Sequence, residues 1–481
     1  MKKSKASCKY IFIILLILSG VLFTCFSGIQ GFWFDELFSI GVVRKSQSFS
    51  DLLKTYFSSE TTNPPLYDII LFFIYRCVPS NEIWLLSINS VFWGIGTIFI
   101  ACTTYSASKR PSVLFFVLVF SAINVFIINN MVWELRSYSL LYMLAAIVQF
   151  LYFKAKSTES YKNLIILGIA MVSLAFTHYF GDIIIFCYAL ADLLLFIKKK
   201  ISLKCLIPYI MCILTMGPYM LTILHNDPNI ADKFWIQPPT AYIILDTMVT
   251  LLGNKYSFII WSGLILFLII AISRHHTGIY EINAAISIMI IFTVCCIVFI
   301  YSRFINPNAS IWTVRYFVVL IPSLIYSASV AFVYICDRVE DTALFRFRKN
   351  NYFELLAIGI ITASLLFGSI HNLSLLFTDD TVLAPDAINV RKATAFMLND
   401  QCDKEKLIIT NMSGNYLEGW KEFYVKNSDI KIINKKDINP ELLENKTIYL
   451  FCPHSEMSIP ELDNTEAEYN EYFNGKVRKY L

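Results

Sequence analysis

The stretch YIFIILLILSGVLFTCFSGIQGFWFDELFS, residues 10–39, decides the fold. Its first part, Tyr10 to Ile29, is apolar for the length a helix needs to cross hydrocarbon, about 20 residues. Lys2, Lys3, Lys5 and Lys9 precede it. The run is long for a secretory leader and no small-x-small cleavage site follows, so it reads as an uncleaved first span with a cytoplasmic start. Its far end faces outward and carries Gly31-Phe-Trp-Phe-Asp35-Glu36-Leu-Phe-Ser39 to the outer boundary. Two adjacent carboxylates among aromatic rings there read either as a solvated pair in an interfacial belt or as a functional site. Spacing alone leaves both readings open.

The apolar pattern recurs along the chain. Of 481 residues, 56% are hydrophobic and 16% charged, with a mean hydropathy of +0.58. An ordinary soluble domain carries about 25% charged residues, so composition excludes a soluble enzyme. Further spans are expected at Trp84 to Tyr105, Ser112 to Ile128, Tyr138 to Phe153, Leu164 to His178, Ile183 to Ile197 and Leu206 to Leu224. Ser257 to Ile272, Ile282 to Tyr301, Phe317 to Cys336 and Leu355 to Ile370 complete a set of about eleven. Alternation from a cytoplasmic start puts Lys109/Arg110, Lys154/Lys156/Lys162, Lys198/Lys199/Lys200/Lys204, Arg274 and Arg338/Arg346/Arg348/Lys349 on the cytoplasmic side, where positive charge collects. An odd count then places the C-terminus outside.

Composition changes after His371. Residues 1–371 are expected to form the transmembrane domain, with residues 31–83 as a structured first outer loop, and 372–481 a separate soluble domain rich in Asp, Glu, Asn and Lys. Helix-like Asp386 to Asn399 and Tyr416 to Tyr424 alternate with strand-like Lys406 to Asn411, Ile430 to Asn434 and Thr447 to Cys452, which predicts a small α/β layer domain. Cys402 and Cys452 could pair there in an oxidising compartment. The other cysteines lie mostly in apolar runs, as small hydrophobes. No CxxC or zinc-ligand spacing occurs.

Within the first outer loop, Ser50 to Tyr56 is helix-compatible. Thr62-Asn63-Pro64-Pro65-Leu66-Tyr67 then opens an apolar run ending near Val78, too short to span and followed at once by the span at Trp84. It is expected to lie along the outer interface, with the prolines fixing its first turn.

Phe-Asp35-Glu36-x-x-Ser39 after a first span, then Asn63-Pro64-Pro65-Leu66-Tyr67, then Glu134-Leu-Arg136-Ser-Tyr138-Ser-Leu140, resembles the polyprenyl-phosphate-sugar-dependent GT-C glycosyltransferases. These include the protein O-mannosyltransferase-like and aminoarabinose-transferase-like families. Thr177-His178-Tyr179 and Arg315-Tyr316 followed by Pro322 are similar to later landmarks of that group. The resemblance implies an all-α polytopic membrane domain of GT-C type, with interfacial helices and the small α/β domain beyond it.

It also implies an inverting transfer from an isoprenoid-phosphate-linked sugar to an outer glycan, lipid or protein acceptor, at the face of a bilayer. A bacterial inner membrane fits the Lys-rich start. No nucleic-acid partner is expected.

Such a transfer needs a base, stabilisation of the departing phosphate, and a site where a lipid donor meets a polar acceptor. Asp35 is the candidate base by resemblance. Glu36 is the second catalytic candidate, tuning Asp35 or holding a cation or sugar hydroxyl. Asn63, Pro65, Tyr67, Glu134, Arg136, Tyr138, His178, Arg315 and Tyr316 are the candidate donor- and substrate-binding residues. Either arginine could grip a phosphate bidentately or snorkel at the interface. A lone helix-end histidine is more often a cap than a ligand, and a divalent cation, though compatible with these acids, is left unassigned. Asp182 and Asp192 are also unassigned.

A secondary transporter or flippase would share the many spans, but would usually show repeated halves with Gly/Pro-broken helices. A non-catalytic assembly protein would not need Asp35, Asn63 and Arg136 at one interface.

Overall fold

A computed structural model of the protein describes residues 2–29, 31–57, 63–78, 81–226, 236–274, 279–340, 352–375, 389–402, 404–426, 428–453, 469–473 and 476–480. The chain opens with α1 (Lys2–Ser27), then three short helices, α2 (Phe34–Lys45), α3 (Phe49–Phe57) and α4 (Leu66–Cys77), before α5 (Glu82–Ser108). There follow α6 (Ser112–Ile123), the single turn α7 (Val125–Ile127), α8 (Tyr138–Thr158), α9 (Tyr161–Ala175), α10 (Tyr179–Ile197) and α11 (Ile207–Asn226). The helical part ends with α12 (Ala241–Leu251), α13 (Lys255–Arg274), α14 (Ile279–Ile300), α15 (Ile321–Glu340) and α16 (Tyr352–Leu375).

Eight of the described helices are long and apolar enough to cross a membrane, nine if the bent pair Ser112–Ile123 and Val125–Val132 is one span. The two shorter apolar helices Tyr161–Ala175 and Glu354–Ile370 stand at the remaining expected positions, so each of the eleven expected segments is an apolar helix. All the expected segments are helical, but α6 and its continuation bend by 56°. The Asn124 side chain takes the Phe126 amide there, which restarts the helix in a new direction. Helix α9, with 15 residues, is short for a span, while α16 runs for 24 residues. Helix α12 was not expected.

The two ends of the bundle differ in chemistry. At one end Lys9 lies over the Tyr105 ring, Arg110 pairs with Asp337 and Glu354, and Lys204 with Glu159. Just inside it Asp192 accepts hydrogen bonds from Tyr152 and Tyr209, both at 2.7 Å, and pairs with Lys156. Asp192 is thus a fully satisfied buried carboxylate. Arg110, Lys156 and Lys204 bring three of the expected basic loops here, while Arg346, Arg348 and Lys349 lie outside the described residues. At the other end the short helices α2 to α4 pack on one another, with α3 against α11 and α4 against α5. Leu66 N–H donates to Phe176 O at 2.9 Å, and the Trp133 indole donates to Phe23 O at 3.1 Å.

On that second end sits a small domain with α17 (Val390–Asn399), α18 (Gly414–Trp420) and strands β1 (Glu405–Thr410), β2 (Lys431–Asn434), β3 (Lys446–Phe451), β4 (Tyr469–Tyr472) and β5 (Val477–Tyr480). The five strands are ordered β2-β1-β3-β5-β4. β1 pairs in parallel with β2 and β3, while β5 runs antiparallel to β3 and β4. The parallel half is where apolar alternation pointed. Strands β4 and β5, with sequences YNEY and VRKY, escaped it because they carry too few apolar residues. Asp386 and its two successors lie outside the described residues. No disulfide joins Cys402 to Cys452 among the described residues.

The domain is docked by backbone contact. A Cβ on Gly41 of α2 would fall 1.8 Å from Asn415 O, and one on Gly419 of α18 would fall 2.0 Å from Leu37 O. Only glycine at both crossings lets α2 and α18 come so close. Around this seam Arg44 pairs with Glu418 at 2.9 Å and Glu422 at 2.6 Å. Arg391 pairs with Glu82 at 2.6 Å and donates to Gly28 O at 2.7 Å, while Tyr424 donates to Glu82 at 2.5 Å.

Candidate active site

Helix α2 begins at the acidic pair, and its first turn sends the two carboxylates to different places. Glu36, wholly buried, turns back to accept the Trp33 N–H at 2.5 Å and takes the Leu135 N–H at 2.5 Å on its other oxygen. Burial pushes its pKa well above the ordinary value despite those two hydrogen bonds. With both oxygens occupied by backbone donors, Glu36 is placed as a strut that holds the Glu134–Arg136 turn against α2. Neither oxygen is left open to a bound acceptor.

Asp35 is partly open, its side chain 26% exposed, with Oδ2 3.7 Å from Arg315 Nη1. Its carbonyl accepts from Arg136 Nη1 at 3.1 Å, and the same guanidinium nitrogen lies 3.4 Å from the Ser39 hydroxyl. Burial opposes the charge on Arg136, but Asp35, Tyr138, Glu134 and Asp68 outweigh it and hold its pKa above the ordinary value. Arg315, on the 3-10 turn Val314–Leu320, also contacts Glu134 Oε1 at 2.9 Å. Its guanidinium lies over the Trp33 ring at 5.3 Å and near Tyr138 at 5.9 Å.

Glu134 is nearly inaccessible, and its Oε2 is buried with no hydrogen-bond partner among the described residues. Burial raises its pKa, with Arg315 and Arg136 opposing the rise. His178 caps α10 by accepting the Phe180 N–H on Nδ1 at 3.2 Å, which leaves the proton of the neutral ring on Nε2. That Nε2 is likewise buried and unpartnered among the described residues. Its ring lies 4.7 Å from Tyr316 and 6.0 Å from Tyr138. Burial first, and the Arg136 charge second, lower the His178 pKa to about 3.

The structure therefore brings Asp35, Glu36, Glu134, Arg136, Tyr138, His178, Arg315 and Tyr316 into one cluster. Tyr67 reaches it through its hydroxyl, which donates to Asn89 Oδ1 at 3.2 Å. Pro65 is the residue preceding α4 and contributes its carbonyl to the first turn, accepting from Ile69 at 2.9 Å. Asn63, half-buried at the start of that segment, makes no hydrogen bond to the cluster among the described residues.

Two residues of the cluster were not among those expected from the sequence. Asn89, in the middle of an apolar span, is fully buried; it donates to Glu134 O at 2.5 Å and accepts from Ser139 at 2.8 Å as well as from Tyr67. A polar amide inside a span was the available clue. Asp68, one residue past the quoted motif, accepts from Tyr56 and from Ser39 and faces the Arg136 charge; burial raises its pKa. Among the described residues no group of three or more His, Cys, Asp or Glu side chains is arranged to hold a metal ion.

No protein-family model matches the chain, and no curated protein matches it by sequence. In three dimensions it is similar to ArnT from Cupriavidus metallidurans. The apo state matches with TM-score 0.60 and 10% identity over 99% of this chain and 98% of that one. The structure bound to undecaprenyl phosphate gives 0.55 and 10% over 97% of each. The Archaeoglobus fulgidus oligosaccharyltransferase in complex with zinc and sulfate is a looser match, 0.46 and 12%, over 87% of this chain and 62% of that one. At such identities the likeness speaks for architecture alone: the chain shares the overall fold of the ArnT structures, here a helical domain with apolar spans followed by a small sheet domain.

Proposed function

We propose that the protein is an integral membrane glycosyltransferase that moves a sugar from an isoprenoid phosphate to an acceptor outside the cytoplasm, with inversion. One observation carries the reading: the partly open carboxylate of Asp35 lies beside the guanidinium of Arg315, at the end of the bundle opposite the basic clusters. An acceptor hydroxyl attacks the anomeric carbon, the bond from that carbon to the phosphate oxygen breaks, and its electron pair leaves with the lipid phosphate. The hydroxyl proton passes to Asp35. Arg315 and Arg136 offset the charge growing on the phosphate. Glu36 holds the turn that carries Glu134 and Arg136. The unpartnered Glu134 Oε2 and His178 Nε2 offer an acceptor and a donor to a bound sugar. That one of the ArnT structures has undecaprenyl phosphate bound supports the donor class.

The test is direct. Purified full-length protein is incubated with undecaprenyl-phosphate-linked hexoses, and release of undecaprenyl phosphate is followed by mass spectrometry. Protein-dependent consumption is expected. A protein that binds but never consumes any such donor, while its removal from cells leaves the polyprenyl-phosphate sugar pool and surface glycans unchanged, has another function.

A further inference from the structure

The small domain approaches the candidate site with Tyr416. Tyr416, on α18, stacks on Phe34 with ring centroids 4.0 Å apart and planes 15° from parallel. Phe38, one turn further along α2, meets the same ring at 4.9 Å. Phe34 immediately precedes Asp35, so the Tyr416 ring packs on the same first turn of α2 that carries the candidate base. The ring cannot drift. The two glycine crossings press α18 against α2, and the Arg44 pairs with Glu418 and Glu422 close the seam beside it.

The Tyr416 hydroxyl, by contrast, has no hydrogen-bond partner among the described residues. Its pKa is raised, by burial first and then by the nearby Asp35 charge, with Arg136 opposing. A stacked ring with an unused hydroxyl, on the helix turn of the open Asp35 carboxylate and within reach of its charge, is available to an acceptor that approaches Asp35.

We infer that Tyr416 is an acceptor-binding residue supplied by the C-terminal domain, and that its hydroxyl and Asp35 together hold two neighbouring hydroxyls of a carbohydrate acceptor. The inference rests on the glycosyltransferase reading. It commits to a carbohydrate because one acceptor hydroxyl must reach Asp35 while a second polar group occupies the phenol, and vicinal hydroxyls are the arrangement that sugars provide. The domain then forms part of the specificity of the site as well as its cover.

The experiment uses the full-length protein, an undecaprenyl-phosphate-linked hexose as donor, and methyl glycosides with their monodeoxy derivatives as acceptor probes. Undecaprenyl phosphate binding is measured separately. Tyr416→Phe keeps the ring and its stacking, so the fold and the docked domain persist. The expected result is a roughly tenfold lower kcat/KM for the methyl glycoside, carried mainly by KM, with undecaprenyl phosphate affinity unchanged. One monodeoxy derivative should be as poor with the wild type as the parent sugar is with Tyr416→Phe, and show no further loss in the variant.

Tyr416→Phe with wild-type kcat/KM overturns the role of the hydroxyl, and an equal loss of undecaprenyl phosphate affinity moves Tyr416 to the donor side. Donor consumption by water alone, with no transfer to any methyl glycoside, overturns the carbohydrate assignment and leaves the glycosyltransferase reading standing. Absence of any donor consumption sinks both.

Discussion

The Glu36 carboxylate and the Leu135 amide, 99 residues apart in sequence, meet at 2.5 Å. That contact fixes the turn bearing Glu134 and Arg136 to the first turn of α2, and so fixes Asp35 relative to both. Glu36→Gln keeps the size but leaves one of the two backbone N–H groups facing an amide nitrogen. The unsatisfied donor should cost about 1–3 kcal/mol, read as a lower Tm. A pH effect adds to this. Because burial raises the folded pKa of Glu36 above its unfolded value, the folded state holds the proton longer, and stability falls as pH rises from about 4.5 through that raised value. Tm measured against pH should decline over that window in the wild type and flatten in Glu36→Gln. Equal slopes would mean that Glu36 is not buried as described.

Orientation is the second prediction. Basic side chains gather at one end of the bundle and the small domain sits on the other. With positive charge retained in the cytoplasm, a reporter inserted at Lys199 should be active only inside, and one fused to the C-terminus only outside. Activity of the C-terminal fusion in the cytoplasm would turn the site inward, away from any outer acceptor.

The sequence made the membrane character legible because hydrocarbon demands long apolar helices, and the acidic pair because charge at a membrane edge is costly. It could not separate Asp35 from Glu36. Their difference lies in which helix turn each occupies and in a backbone N–H from a distant loop. The bend at Asn124 inside one expected span was hidden, since a run of apolar residues shows length but not a bend. Asn89 and Asp68 were missed because a buried polar group is recognised by its partners, and those come from five different segments. The docking of α18 was equally hidden, since Gly41 and Gly419 acquire meaning only when the two helices cross.

The third prediction concerns the phosphate. Arg315 already divides its guanidinium between Glu134 and Asp35, and presents its flat face to Trp33. A lysine would keep the charge but lose the fork and the stacked plane. Arg315→Lys should bind undecaprenyl phosphate about tenfold more weakly, by titration against intrinsic Trp fluorescence, with expression retained. Unchanged affinity would return Arg315 to a purely interfacial role.

His178 yields a fourth. Its pKa, lowered to about 3 by burial and by Arg136, keeps the ring neutral throughout the working range. The pH dependence of kcat/KM between pH 5 and 8 should therefore be the same in His178→Gln as in the wild type, whatever the absolute rate. Stability should behave differently. The unfolded histidine takes a proton near its ordinary pKa while the folded one does not, so the wild type loses stability as pH falls from about 6.5 toward 3. The variant should lose less. A kinetic limb near pH 6 that vanishes in His178→Gln would show the ring titrating in the site.

The last prediction is the base itself. A general base must be ionised and within hydrogen-bond reach of the acceptor hydroxyl, and such groups contribute roughly 10²- to 10⁴-fold to a rate. Asp35 has the partly exposed carboxylate of the pair, while both oxygens of Glu36 are engaged. Asp35→Asn preserves the outline and the backbone carbonyl that Arg136 grips, but removes the proton acceptor. Transfer should fall by at least about a hundredfold, with undecaprenyl phosphate binding and Tm close to wild type. Glu36→Gln should behave in the opposite way, with Tm reduced and the residual folded protein still turning over. Near wild-type transfer by Asp35→Asn, alongside a stable but inactive Glu36→Gln, would move the base one residue along. If both variants stay active, the acidic pair serves the membrane boundary and the chemistry lies elsewhere.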